Sequence, residues 1–147
     1  MIVAAEIDIS KSPAAVFPWI SDPEKAMQWQ KNVKTAEIIE GGPGVVGTQF
    51  MEILSEQSGE LEVVGTITDY IENKLMGFHL ESRIHVVDVI YRLEGREAYT
   101  RLCTEAIVEW KFPMNLISLV RGQKMRRNLS SELSDELNTL KQICESS

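Results

Sequence analysis

The sequence predicts one α+β domain with element order β-α-α-β-β-β-β-β-β-α. Three observations carry this. Two "polar residue, then proline" steps, Ser12-Pro13 and Asp22-Pro23, follow a short alternating apolar run. Six further β-patterned runs then succeed one another across turn-length connections, which makes neighbouring strands antiparallel. Finally, Leu129, Leu133, Leu137, Leu140 and Cys144 recur at three- and four-residue steps, drawing one apolar stripe along a long terminal helix. A chain of 147 residues fits a single domain. It shows no linker, internal repeat or low-complexity segment.

Each element has a local reason. Met1–Ser10 alternates Val3, Ala5, Ile7 and Ile9 against Glu6, Asp8 and Ser10, the pattern of a half-buried strand. Ser12 can cap orphan helix N–H groups, and Pro13 sits where a missing N–H costs nothing. Asp22-Pro23 repeats the device, with Glu24 favoured in the first turn by the helix dipole. Pro18 is expected to kink or shorten the first helix, because it lacks an N–H donor and disfavours helical geometry at Phe17. Strands are predicted over Val33–Glu40, Thr48–Glu56, Glu60–Ile71, Lys74–Ser82, Val86–Leu93 and Tyr99–Lys111. Turns are expected at 41–47 (GGPGVVG), Ser58-Gly59, Glu72-Asn73, near 82–86 and at Glu94–Glu97. Pro113 opens the last helix, whose interior carries Gly122.

Composition narrows the function classes. Fifteen Lys and Arg against 22 Asp and Glu give a net charge of −7, a poor match to a general nucleic-acid binder. No run of 18 apolar residues encodes a membrane span, and MIVAAEIDIS lacks the basic start of a secretory leader. Cys103 and Cys144 are too few for a disulfide framework and lie in no metal-ligand spacing. A cytoplasmic setting is the simplest expectation.

With these elements in order, the sequence resembles the START-like (SRPBCC) superfamily of polyketide cyclase/dehydrase and lipid-transport proteins, related in fold to the Bet v 1 allergens. The resemblance rests on SPAAVFPWISDPEKAMQW after the first strand, GGPGVVGTQF entering the third, YRLEGREAYTRLCTEA, and a long helix ending LNTLKQICE. It spans essentially the whole chain. It implies a helix-grip fold, in which a curved seven-stranded antiparallel sheet wraps the C-terminal helix and leaves a cavity between them. It further implies that Trp29 lies near the cavity mouth; the plainer alternative is that Trp29 and Trp19 plug the core beneath the two short helices.

An inward sheet face would offer Phe50, Phe78, Tyr91 and Trp110 to such a cavity. The helix would offer Met114, Ile117, Arg121 and Met125 at successive turns, unless these residues only pack on one another. Glu52 and Asp69 each lie on a strand flanked by apolar positions, and a buried carboxyl there would have a raised pKa suited to acid catalysis. His79 alternates with Phe78 and Leu80, which leaves it between a solvated outer face and a catalytic role. His79 and His85 have no third ligand in a recognised spacing, so no metal or other cofactor is expected. The basic run Arg121–Arg127 is either a solvated helix face, a seat for an anionic head, or a contact for an acidic membrane surface at the cavity mouth.

The function expected is binding of a small hydrophobic or amphipathic molecule, a lipid, isoprenoid or polyketide-like compound, with no stable membrane insertion. Self-association into a homodimer is left open. The enzyme alternative is a cyclase or dehydratase of polyketide-like substrates, with Glu52, Asp69 and His79 as the candidate catalytic groups. A third alternative, implied by relatives that act on ribosomal subunits or a chaperone, is an interaction module without a ligand.

Overall fold

The computed structural model describes residues 1–56 and 59–147. Strand β1 (Ile2–Ile9) leads into α1 (Pro13–Ser21) and α2 (Pro23–Ala26). The Ser12 hydroxyl accepts from the Ala15 N–H at 3.3 Å, and the Asp22 carboxylate accepts from the Glu24 N–H at 3.0 Å. Both helix starts are therefore capped as the sequence predicts. Strands β2 (Val33–Glu40), β3 (Gln49–Glu56), β4 (Gly59–Ile71), β5 (Leu75–Glu81), β6 (His85–Gly95) and β7 (Thr100–Trp110) follow, and α3 (Met114–Ser146) ends the chain.

The sheet has the order β1-β7-β6-β5-β4-β3-β2 with every pair antiparallel, so β2 to β7 form a meander and β1 closes on its last strand. Register shifts interrupt β2–β3 at Val33/Thr35 and at Ile38/Glu40, and β4–β5 at Ile67/Asp69. Bulges of this kind bend strands and increase local twist, which curves the sheet. Between β2 and β3, Gly41, Gly44 and Gly47 all take positive φ, and the buried Thr48 hydroxyl locks the turn. It donates to the Gly42 carbonyl at 2.8 Å and accepts from the Gly42 N–H at 3.1 Å. Asn73, the hairpin residue between β4 and β5, takes the left-handed conformation that asparagine tolerates (φ 63). Of the predicted Ser58-Gly59 turn, Ser58 lies outside the described residues.

The second half of α3 lies in the grip of the sheet, packed chiefly along β1. Leu137, Leu140 and Cys144 are buried there in one cluster with Ile9, Val16, Phe17 and Leu102. This is the predicted stripe in its three most C-terminal members; Leu129 and Leu133 are half-buried.

Two proline and glycine positions behave differently from one another. Helix α1 runs through Pro18 to Ser21, and the Asp22 N–H donates to the Pro18 carbonyl at 3.0 Å. The expected shortening does not occur. The hydrogen bond that proline removes would have ended on Ala14, an exposed residue whose carbonyl water can satisfy, while Val16, Phe17 and Ile20 anchor the opposite face. In α3, by contrast, Arg121 departs from helical geometry (φ −113, ψ 16) immediately before Gly122, and the helix kinks there.

Candidate functional site

Between the sheet and α3 lies a cavity of about 850 Å³, within the range of small-molecule sites. Alternation along β3 builds one wall, with Phe50, Glu52 and Leu54 pointing in. Edge strand β2 adds Ala36 and Ile38, which stand opposite Glu52 and Phe50 in the β2–β3 ladder. Phe78, Tyr91 and Trp110 come from β5, β6 and β7, and Ile20 and Ala26 from the two short helices. The aromatic rings meet edge to face: Phe50–Phe78 at 5.7 Å and Phe78–Tyr91 at 6.3 Å between centroids. The Phe50 ring lies over Gly65, where an added Cβ would overlap it and force the ring to move.

The contribution of α3 begins only at Leu129 and continues with Glu132 and Glu136. Among the described residues, none of α3 upstream of Leu129 lines the cavity.

The electrostatics are one-sided. Glu52, Glu56, Glu132 and Glu136 line the cavity, whereas no Lys or Arg among the described residues does. Burial raises the Glu52 carboxyl from its ordinary 4.5 to about 7. Burial likewise raises Glu136 to about 7, reinforced by Glu132 and Glu52 and opposed by Lys31. Tyr91 is pushed above its usual range, by burial first and then by Glu136 and Glu52. Near neutral pH two carboxyls here are poised between donor and acceptor.

At the other end of the sheet wall, His85 and Trp110 face each other with ring centroids 5.4 Å apart. His85 Nδ1 lies 2.9 Å from the Ser82 hydroxyl, which also accepts the N–H groups of Ile84 and His85 at 3.2 Å each. Burial lowers the His85 pKa, which favours the neutral ring. The indole Nε1 of Trp110 is buried without a hydrogen-bond partner among the described residues. A buried donor of this kind calls for an acceptor.

The structure thus brings Phe50, Phe78, Tyr91, Trp110 and Glu52 together around one space. It does not bring the other sequence candidates there. Trp29 is buried in the core, its indole N–H donating to the Trp19 carbonyl at 2.7 Å and its ring against Tyr91 at 6.1 Å, outside the cavity lining. Met114, Ile117, Arg121 and Met125 also lie outside the lining. At about 100° per residue they share one face of α3, but even in an unbroken helix that face is about 80–160° from the apolar stripe of Leu129, Leu133, Leu137, Leu140 and Cys144. Asp69 follows the β4 bulge and accepts a hydrogen bond from Thr68 at 2.9 Å, away from the cavity. His79 points to the outer face, 2.6 Å from Asp88. Sequence reasoning missed Glu132, Glu136 and His85. The helical pair was legible in principle, since both carboxyls flank the apolar stripe at the i, i+3 and i+7 steps from Leu129.

Residues 1–145 match the family model described as polyketide cyclase/dehydrase and lipid transport. The chain belongs to this family. Similar solved structures include a protein from Thermus thermophilus, with 14% identity, 99% of this chain and 98% of that one covered, and a TM-score of 0.82. A START superfamily protein from Mycobacterium smegmatis shares 17% identity over 99% and 97% of the two chains, with a TM-score of 0.81. Ara h 8.0201 shares 15% over 100% and 99%, at 0.75. At these identities the likeness shows the fold, a helix-grip of the START and Bet v 1 type. No protein of curated function matches the sequence.

Proposed function

We propose that this family member binds a small hydrophobic molecule in the cavity, with a head group that is neutral or cationic. The observation that carries the reading is the lining itself: an aromatic and aliphatic wall with four glutamates and, among the described residues, no Lys or Arg. Apolar burial supplies the binding force, at about 25 cal/mol per Å² as an upper guide. The carboxyls choose the head: Glu52 and Glu136 donate to a carbonyl or hydroxyl when protonated and accept from an amine when ionised. A fatty-acid carboxylate would meet like charge. The Trp110 N–H offers a further anchor for a ligand oxygen. Arg121, exposed at the kink, is not placed to hold an anionic head inside. Two free thiols, Cys103 and Cys144, suit the reducing, cytoplasmic setting that goes with this reading.

The test is native mass spectrometry followed by organic extraction, with titration of a neutral fluorescent naphthylamine probe read through the probe's own emission. A retained lipophile or saturable probe binding is expected. A clean apo mass with no saturable change refutes the proposal.

One observation favours a second reading, catalysis. Carboxyls titrating near pH 7 inside a cavity suit proton transfer to and from a reactive chain held in one conformation. If the protein is a cyclase or dehydratase, Glu52→Gln abolishes turnover of a polyketide-like substrate while leaving probe binding within a few-fold.

A further inference from the structure

The stretch between Trp110 and Leu129, both cavity-lining, has a composition unlike the rest of the chain. From Trp110 to Ser131 it holds no Asp or Glu, in a protein with 22 of them. Its first half is apolar and uncovered. Phe112 is 75% exposed, Leu119 82% and Val120 86%, with Leu116 and Ile117 at 52% and 42%. At about 100° per residue, positions 116, 117, 119 and 120 fall within an arc of about 160°, so they form one face. Its second half carries Arg121, Lys124, Arg126 and Arg127, all exposed and all without an ion-pair partner among the described residues. Lys111, by contrast, is tied to Glu81 at 3.1 Å. No helix among the described residues is long and apolar enough to cross a membrane.

An apolar face followed at once by free cations has a specific complement: a surface that is apolar just beneath a layer of negative charge. We propose that Phe112–Arg127 docks the protein peripherally on an anionic phospholipid bilayer, with Phe112, Leu116, Leu119 and Val120 entering the interface and the four basic residues meeting headgroup phosphates. A protein partner with an apolar groove would satisfy the first half but leaves the clustered charge unexplained. The chain's overall charge of −7 does not oppose docking strongly, because at physiological salt the Debye length of about 8 Å screens acidic groups on distant faces. Docking would set the cavity residues that bracket this arm, Trp110 and Leu129, close to the lipid.

The experiment is co-sedimentation of the full chain with phosphatidylcholine vesicles containing about one-third phosphatidylglycerol, against pure phosphatidylcholine, at 0.1 M and 0.5 M NaCl. Binding to the anionic vesicles alone, released by the higher salt, is expected. The double variant Arg126→Gln/Arg127→Gln should lower the partition coefficient about 25-fold, that is about fivefold or ~1 kcal/mol per basic residue near an anionic surface. Leu119→Ser/Val120→Ser should lower it more than tenfold. All four residues are exposed, so unchanged circular dichroism and melting temperature are required of both variants. Equal binding to neutral vesicles, or no loss in either variant, overturns the proposal. So does a dimer in sedimentation velocity that Leu119→Ser/Val120→Ser dissociates, without vesicle binding; the face would then belong to a second copy. The outcome is independent of whether the cavity holds a ligand.

Discussion

Replacing Glu52 by glutamine tests the electrostatics of the cavity directly. The folded chain holds the Glu52 proton up to about pH 7, whereas the unfolded chain releases it near 4.5. Between those values the unfolded state binds fewer protons, so stability falls as pH rises, by about 1.4 kcal/mol per pH unit. Across the interval from 4.5 to about 7 the loss amounts to ~3 kcal/mol, and above pH 7 it levels off. Glutamine is nearly isosteric with the protonated acid and cannot ionise. The variant should therefore match the wild type near pH 5 and exceed its stability by up to ~3 kcal/mol at pH 8. Comparing the two proteins matters, because His85 acts in the opposite sense: its folded pKa is depressed, so its contribution is lost as pH falls below its ordinary 6.5. Glu136 acts in the same sense as Glu52. In the difference between wild type and variant the His85 contribution cancels. The Glu136 contribution cancels except for its coupling to Glu52, which adds with the same sign. Urea denaturation at pH 5, 6, 7 and 8 measures this difference. Stability curves that run parallel to within about 0.5 kcal/mol would refute the raised pKa and, with it, the protonation logic of the cavity.

Three more outcomes follow from the packing. Gly65→Ala places a Cβ in the Phe50 ring; the ring must turn, at an overpacking cost of about 1–3 kcal/mol, and both denaturation midpoint and probe affinity should drop. Leu140→Ala, at a fully buried contact between α3 and the sheet, should cost about 2–5 kcal/mol in urea denaturation; a loss below about 1 kcal/mol would mean that the helix is not gripped there. His79→Ala removes an exposed pair with Asp88 and should cost less than about 1 kcal/mol while leaving probe binding unchanged; a large loss of binding would place His79 at the site after all.

The fold was legible because each of its decisions is local. Ser12-Pro13 and Asp22-Pro23 cap and start helices through groups within three residues of one another, and the structure makes both caps. The strands alternate in period two, and the turns between them are written in Gly, Asn and Ser. Even the break in α3 is marked by Gly122, beside the non-helical Arg121. What composition and periodicity did not supply was curvature: bulges at Val33/Thr35, Ile38/Glu40 and Ile67/Asp69 arise from cross-strand pairing, and only the family resemblance implied their effect.

The site was half legible, and the division has a physical cause. A strand's inward face can be read from alternation once one residue is fixed, and Phe50, Glu52, Phe78, Tyr91 and Trp110 all reached the cavity. A helix's inward face has to be read against the stripe that is buried. Met114, Ile117, Arg121 and Met125 share a face with one another, but at about 100° per residue it lies about 80–160° from the stripe of Leu129, Leu133, Leu137, Leu140 and Cys144, and the helix breaks at Arg121 besides. Upstream of Leu129 the helix is largely exposed, with Leu116, Leu119 and Val120 facing water and Arg121, Lys124, Arg126 and Arg127 following them. The molecule presents an acidic, hydrophobic interior beside a basic, hydrophobic exterior. In the two proposals that juxtaposition disfavours an anionic ligand inside and favours an anionic surface outside, with the two halves of α3 carrying opposite charges.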